Sequence, residues 1–147
     1  MRVLYHFTGL TALVGVDGIA AMKSHGGNCD ASDFAAPGSI LADGIRPTKT
    51  TDYDPMLRSP LPPCVWLTDN PEMPDGASSL SGFRISVGIP SADHRLFRWR
   101  TYFAQHAPGA FGLALPEAVR IEFDRFYVFF GKILPKHFKA VEVAPRR

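Results

Sequence analysis

Two side chains that can do chemistry lie close together near the start of the chain, in Tyr5-His6-Phe7-Thr8. Residues two apart in a strand share a face, so His6 and Thr8 point to one side and Tyr5 and Phe7 to the other. An imidazole and a hydroxyl can together exchange hydrogen bonds with hydroxyl groups of a ligand. The segment therefore predicts a polar patch on an otherwise apolar strand, and the alternative is a core histidine with its hydrogen bonds satisfied.

A second strand-like segment, Val65-Trp66-Leu67-Thr68, combines an indole with another hydroxyl. A positively charged ring that lies over an indole gains about 0.5 to 2 kcal/mol from cation–π attraction. Trp66 is therefore a candidate platform for a cationic aromatic group, with Thr68 beside it. The alternative is that Trp66 anchors the packing of the core.

Arginines in the middle of the chain offer guanidinium forks that suit a pyrophosphate or a nucleic-acid backbone. Arg84 lies on an alternating strand, and a cluster of three lies around Trp99, namely Arg95, Arg98 and Arg100. The alternative for the cluster is a solvated helix face. The sequence contains neither a P-loop nor a GxGxxG fingerprint, and its histidines lack metal-ligand spacing, so we expect no metal site.

Composition sets the broad class of the protein. At 147 residues, 46% of them apolar, the chain is long enough for one domain with a sizeable core. A net charge of +2 permits an anionic ligand without identifying one. Cys29 and Cys64 form no metal motif and are expected to be reduced thiols. The sequence has neither a signal peptide nor a membrane-spanning run, so we expect a cytoplasmic protein.

The pattern of elements predicts an α+β fold, a single domain over residues 1–147 with a mainly antiparallel sheet and most helices in the N-terminal half. Helices are predicted within 9–22, where Gly15 and Gly18 interrupt the pattern, at 39–44, and at 93–106. A polar, proline-rich loop is predicted over 48–63. Strands are predicted by apolar alternation or β-branched content at 3–8, 64–68, 82–89, 118–123, 127–130 and 140–143.

The order of these motifs resembles the ADP-ribosyltransferase-like superfamily, in the branch with a histidine in the first strand. The segments that carry the resemblance are 4–8, 39–47, 65–68, 127–135 and 138–143. The resemblance implies a split antiparallel sheet and NAD as substrate without a metal. It also implies transfer of ADP-ribose to a macromolecular acceptor, protein or nucleic acid, with release of nicotinamide. In this superfamily loops set the choice of acceptor, here the loops at 48–63 and 71–82.

The resemblance also implies roles for individual residues. His6 would hold the ribose of NAD, and Trp66 would stack on the nicotinamide ring. Beside these two residues, the hydroxyls of Thr8 and Thr68 can complete the polar contacts, and we expect Arg84 or Arg46 to face the phosphates of NAD.

The catalytic glutamate of the superfamily has no direct match. It usually precedes the apolar strand that leads into the Ile-x-Pro turn, which here places it near Arg125 or Phe126. The candidates are the nearest carboxylates, Glu122 and Asp124, and Glu142 in the last strand. This departure leaves two alternatives to an enzyme. One is a degenerate relative that binds a nucleotide or a protein, and the other is a nucleic-acid-binding protein that uses the Arg95, Arg98 and Arg100 cluster.

Overall fold

Six strands form one antiparallel sheet in the computed structural model, which describes residues 1–25, 31–48, 62–72, 82–106 and 124–144. The strands are β1 (Arg2–Thr8), β2 (Val65–Thr68), β3 (Phe83–Ile89), β4 (Leu96–Arg98), β5 (Phe126–Phe129) and β6 (Phe138–Val143). Their order across the sheet is β4-β5-β2-β1-β3-β6. The α+β class and the antiparallel sheet predicted from the sequence are thereby confirmed.

The sheet is nearly divided between β1 and β2. One residue pair, Tyr5 with Thr68, joins these two strands, whereas seven pairs join β1 to β3 and four join β2 to β5. The sheet therefore consists of two three-stranded halves, β4-β5-β2 and β1-β3-β6. Side chains from one face of each half share a single core, among them Leu4 and Ile85 from one half and Leu67 and Phe129 from the other. We call this the inner face of the sheet.

Helices cover both faces. On the inner face, α1 (Leu10–Val14), α2 (Val16–His25) and α3 (Ile40–Asp43) contribute to the main core, where Leu13 and Val14 are fully buried. On the outer face, α4 (Trp99–His106) buries Trp99 against Cys64 and Val128 in a second, smaller core. Short 3₁₀ turns lie at Ala31–Phe34 and Pro135–His137. No helix in the described ranges is long and apolar enough to cross a membrane.

Local signals explain where the N-terminal helices end. Gly15 has φ 82° and separates α1 from α2, as the predicted interruption requires. The Ser39 hydroxyl accepts a hydrogen bond from the Ala42 amide and caps α3. Gly44, with φ 100° and ψ 178°, ends α3 in a region that is open essentially to glycine alone. Ile45 then pairs with Ile133 as an isolated bridge.

One predicted element is wrong in part. Residues 93–106 were expected to form a single helix, but Leu96–Arg98 is a strand, and the helix begins at Trp99. The three residues of β4 pair with β5, with Leu96 opposite Phe129 and Arg98 opposite Tyr127. Pairing with a distant strand outweighs the local helical spacing here. The strand predicted at 118–123 lies outside the described residues, as does most of the loop predicted at 48–63.

Candidate functional site

His6 lies next to the division of the sheet. It pairs with Ile85 of β3, so its side chain projects from the inner face, between Leu4 and Thr8. Its Nδ1 lies 2.9 Å from the carbonyl oxygen of Trp66 in β2. The imidazole therefore contacts a strand to which β1 is otherwise joined by one backbone pair.

This contact fixes the tautomer of the imidazole, and burial sets its charge. A carbonyl oxygen only accepts hydrogen bonds, so Nδ1 carries the proton and donates it to Trp66. Burial lowers the pKa of His6 below its ordinary value of 6.5, against the smaller opposing effect of the hydrogen bond to the Trp66 carbonyl. The ring is consequently neutral at pH 7 and its Nε2 carries a lone pair that can accept a hydrogen bond from a ligand hydroxyl.

Trp66 meets His6 through its backbone, while its ring lies elsewhere. The pairing of Tyr5 with Thr68 puts Trp66 and Thr68 on the outer face, opposite to His6. The indole makes edge-on contacts with Trp99 at 4.9 Å and Phe126 at 6.3 Å between ring centroids. The two residues expected to bind NAD are therefore joined by a hydrogen bond from the His6 ring to the Trp66 carbonyl, and their rings lie on different faces of the sheet.

The two threonines also occupy different faces. Thr8 is buried on the inner face beside His6, and its carbonyl accepts a hydrogen bond from the Gly82 amide at 3.1 Å. The Thr68 hydroxyl accepts a hydrogen bond from the Asn70 amide at 3.0 Å. That bond shapes the turn after β2, where the Asn70 side chain in turn accepts from the Glu72 amide.

The candidate carboxylates that the structure describes are held in ion pairs. Nη1 of Arg100 lies 2.9 and 3.0 Å from the two oxygens of Asp124. Glu142 accepts from Arg84 at 2.9 Å, and its side chain is half-exposed on the outer face of β6. Glu122 lies outside the described residues. Neither Asp124 nor Glu142 is recorded in contact with His6.

The candidate arginines likewise have partners within the protein. Arg84 donates to Glu142 and to the Pro71 carbonyl and lies over the Tyr5 ring at 5.2 Å. Its Nε is buried, and no described residue accepts a hydrogen bond from it. Arg46 is mostly exposed and lies 3.8 Å from Asp43. In the cluster, Arg95 pairs with Asp93, Arg98 with Tyr127 and Arg100 with Asp124.

One grouping on the inner face was not expected from the sequence. Arg98 of β4 donates to the Tyr127 hydroxyl at 3.1 Å, and Arg2 of β1 donates to the same oxygen. Both guanidinium groups also lie over the phenol ring, at 5.1 Å for Arg2 and 5.5 Å for Arg98. Tyr127 is 4% exposed, so two cations from opposite halves of the sheet converge on one buried phenol. The residue types were visible, but 125 positions separate Arg2 from Tyr127.

Comparison with known proteins adds no assignment: no protein-family model, curated protein or solved structure matches the chain. Within the described ranges, no group of three or more His, Cys, Asp and Glu side chains is arranged to hold a metal ion.

Proposed function

We propose that this protein is an ADP-ribosyltransferase-like enzyme that binds NAD at the division of the sheet between β1 and β2. The observation that carries the proposal is His6, a neutral imidazole whose Nδ1 is committed to the Trp66 carbonyl and whose Nε2 can accept from a ribose hydroxyl. A histidine in the first strand of a split antiparallel sheet is also what the sequence resemblance implies. The motif order and the state of His6 both support this proposal.

The proposed reaction breaks the bond between the nicotinamide nitrogen and C1 of the ribose. Nicotinamide leaves as a neutral base with the bonding electron pair, and the acceptor nucleophile forms the new bond to C1 and gives up a proton. His6 acts by holding a ribose hydroxyl, which fixes the sugar while positive charge develops on it. Thr8 lies beside His6 on the inner face and is proposed to assist.

The hydrogen bond to His6 gives Trp66 a positioning role in this proposal. Its carbonyl fixes the tautomer of the imidazole, whereas its ring packs against Trp99 and Phe126. If the indole also covers nicotinamide, as the resemblance implies, Trp66→Leu weakens NAD binding. If the carbonyl alone serves the site, Trp66→Leu leaves the affinity for NAD at the parent value once the protein is folded.

The test of activity is release of nicotinamide from NAD, measured with protein, DNA and RNA acceptors. We expect release by the parent and a decrease of about tenfold or more for His6→Ala, because a hydrogen bond to the sugar is lost. His94→Ala, which removes an exposed histidine on the loop before β4, is the matched control and should retain activity. No release across the acceptor panel, or equal release by His6→Ala and the parent, contradicts the enzyme proposal.

The catalytic acid is identified by three further variants, Glu122→Gln, Asp124→Asn and Glu142→Gln. The variant that abolishes nicotinamide release while NAD still binds marks the carboxylate that stabilises the oxocarbenium-like transition state. Asp124→Asn and Glu142→Gln each also break an ion pair, so thermal unfolding of each variant is measured alongside.

A second candidate function is nucleotide binding without catalysis. It is favoured by the two described carboxylates, Asp124 and Glu142, since each already neutralises an arginine. Calorimetry distinguishes the two functions. Binding of NAD that depends on His6, without nicotinamide release under any acceptor, establishes the binder, and absence of NAD binding excludes both.

A further inference from the structure

A surface cavity of about 270 Å³ lies at the end of β3, away from His6. Its wall includes Gly88, Ile89 and Pro90, together with Phe129 at the end of β5. Ile89 is four positions beyond Ile85, the partner of His6, which separates the two places by about 13 Å along β3. The cavity is therefore separate from the position of His6.

Basic side chains surround this cavity. Arg95, Lys132, Lys136 and His137 line it, and Asp93 is the one acid among the lining residues. Arg95 binds both oxygens of Asp93, at 3.1 Å from Nε and 3.0 Å from Nη2, and these hydrogen bonds lower the pKa of Asp93 to about 2. The pair is therefore charge-balanced. In the part of the chain that the structure describes, no ion pair is recorded for Lys132 or Lys136, so the cavity carries an excess of positive charge.

The backbone that presents these lysines is held in place on both sides. Ile133 exchanges two hydrogen bonds with Ile45, at 2.8 and 3.0 Å, and its side chain is 2% exposed. The turn at Pro135–His137 is closed by a hydrogen bond from the His137 amide to the Leu134 carbonyl at 3.0 Å. Lys132 directly precedes Ile133 and Lys136 lies within the turn, so both lysines leave a fixed backbone and line the same cavity.

The walls and the volume limit what can bind. Ile89, Phe129 and Ile133 are each at most 3% exposed and form the apolar floor of the cavity, and His137 is an exposed ring at its wall. The volume lies below the roughly 300 to 1,000 Å³ of sites that enclose drug-sized molecules. A small anionic group at the end of a larger ligand fits these dimensions. Ammonium groups on flexible stems bind phosphate well as point charges.

We propose that this cavity binds a phosphate group, with Lys132 and Lys136 as its principal ligands. The group belongs either to a free nucleotide or to a nucleic-acid strand, since both present the same chemistry to the lysines. This is a second ligand site in addition to the NAD site of the proposed function, and it does not depend on that function.

The test measures binding of three probes to the full chain: inorganic phosphate, adenosine triphosphate and a short single-stranded oligonucleotide carrying a 5′-phosphate. Lys132→Glu and Lys136→Glu are each expected to weaken binding of the preferred probe about tenfold or more. Lys23→Glu makes the same change of charge at an exposed position of α2 and is expected to bind as the parent does. Thermal unfolding of the three variants verifies that each is folded.

The probes also distinguish the two sources of phosphate. Tighter binding of adenosine triphosphate than of the oligonucleotide assigns the site to a free nucleotide. Tighter binding of the oligonucleotide, with affinity that falls steeply as salt rises, assigns it to a strand. Absence of saturable binding by all three probes overturns the proposal, as does equal weakening by Lys23→Glu and the two cavity variants.

Discussion

At the scale of single residues, His6 shows how a hydrogen bond sets the tautomer of an imidazole while burial sets its charge. An exposed histidine exchanges protons freely near neutral pH, but His6 donates from Nδ1 to the Trp66 carbonyl and is partly desolvated. The hydrogen bond raises the pKa of His6 and desolvation lowers it, and desolvation is the larger of the two effects. The protein thereby keeps a hydrogen-bond acceptor, Nε2, available at pH 7.

The lowered pKa of His6 has a consequence for stability. A base whose folded-state pKa lies below its unfolded value of 6.5 takes up its proton more readily in the unfolded chain. The free energy of unfolding therefore falls as pH decreases from about 6.5 toward the folded pKa, by at most about 1.4 kcal/mol per pH unit. Urea unfolding of the parent at pH 7.5 and pH 5 measures this loss.

His6→Gln should remove that part of the pH dependence, because glutamine does not titrate. His94→Gln is the control, because it removes an exposed histidine. We expect this variant to keep the part of the pH-dependent stability that His6 contributes. If His6→Gln and the parent lose equal stability between the two pH values, the imidazole is not held neutral by burial.

Sequence alone predicted part of this site. The prediction that His6 and Thr8 share a face is correct, because the two-residue repeat of side-chain direction is a local property of an extended chain. It could not show that the Trp66 ring lies on the opposite face. That depends on Tyr5 pairing with Thr68, a contact across 63 positions that no local pattern encodes.

At the scale of elements, the end of α3 depends on Gly44. Its φ of 100° and ψ of 178° suit glycine, and an added Cβ would collide with the carbonyl oxygen of Ile133. That carbonyl accepts the hydrogen bond from the Ile45 amide, so it cannot move without loss of the bridge. Helix termination and strand pairing are therefore coupled through one residue without a side chain.

Gly44→Ala is accordingly expected to destabilise the protein by about 3 kcal/mol, the sum of backbone strain and steric overlap. Gly38→Ala is the matched control. Gly38 also has positive φ, at 88°, but nothing lies within 4 Å of the added Cβ, so its cost should be about 1 kcal/mol. Equal losses in urea unfolding would mean that the contact with Ile133 does not matter.

The serine cap at the start of α3 supports a second prediction for this element. Ser39 is 4% exposed, accepts from the Ala42 amide at 3.4 Å and donates to the Ala36 carbonyl at 2.6 Å. Ser39→Ala should cost about 1 to 2 kcal/mol of unfolding free energy, and Ser39→Thr, whose hydroxyl can both accept and donate, should retain more of the cap than alanine does. An alanine variant as stable as the parent would show that the cap contributes nothing.

Five of the strands were predicted within a few residues, while β4 was missed for a physical reason. Leu96–Arg98 is only three residues long, too short for alternation to register, and it runs directly into α4. Its conformation is set by the backbone of β5, which lies about 30 positions later in the chain. Leu96 and Trp99 have helical spacing only because the end of a strand and the start of a helix adjoin in the sequence.

At the scale of the whole molecule, Tyr127 links the two halves of the sheet. Arg2 belongs to the half β1-β3-β6 and Arg98 to the half β4-β5-β2, and both donate to its hydroxyl. Tyr127→Phe should therefore lower the free energy of unfolding by about 1 kcal/mol, a modest amount because both arginines are exposed enough to hydrate instead.

Tyr5→Phe is the control for Tyr127→Phe. Tyr5 keeps its ring contact with Arg84 in that variant, and no described residue is recorded as a hydrogen-bond partner of its hydroxyl. Thermal or urea unfolding of the two variants isolates the contribution of the phenol that joins the halves. If both changes have the same effect, the convergence of Arg2 and Arg98 does not stabilise the fold.

The interleaving of the two halves determines how the chain can acquire its structure. Leu4 pairs with Val87, and Ile85 pairs with Val141, so the half that contains β1 is assembled from segments far apart in sequence. Closing such long loops costs chain entropy before the contacts add to the stability of the protein. We therefore expect refolding in the range of milliseconds to seconds or slower. During synthesis β1 emerges before its partner β3. Both edges of β3 can be paired only after β6 has also emerged.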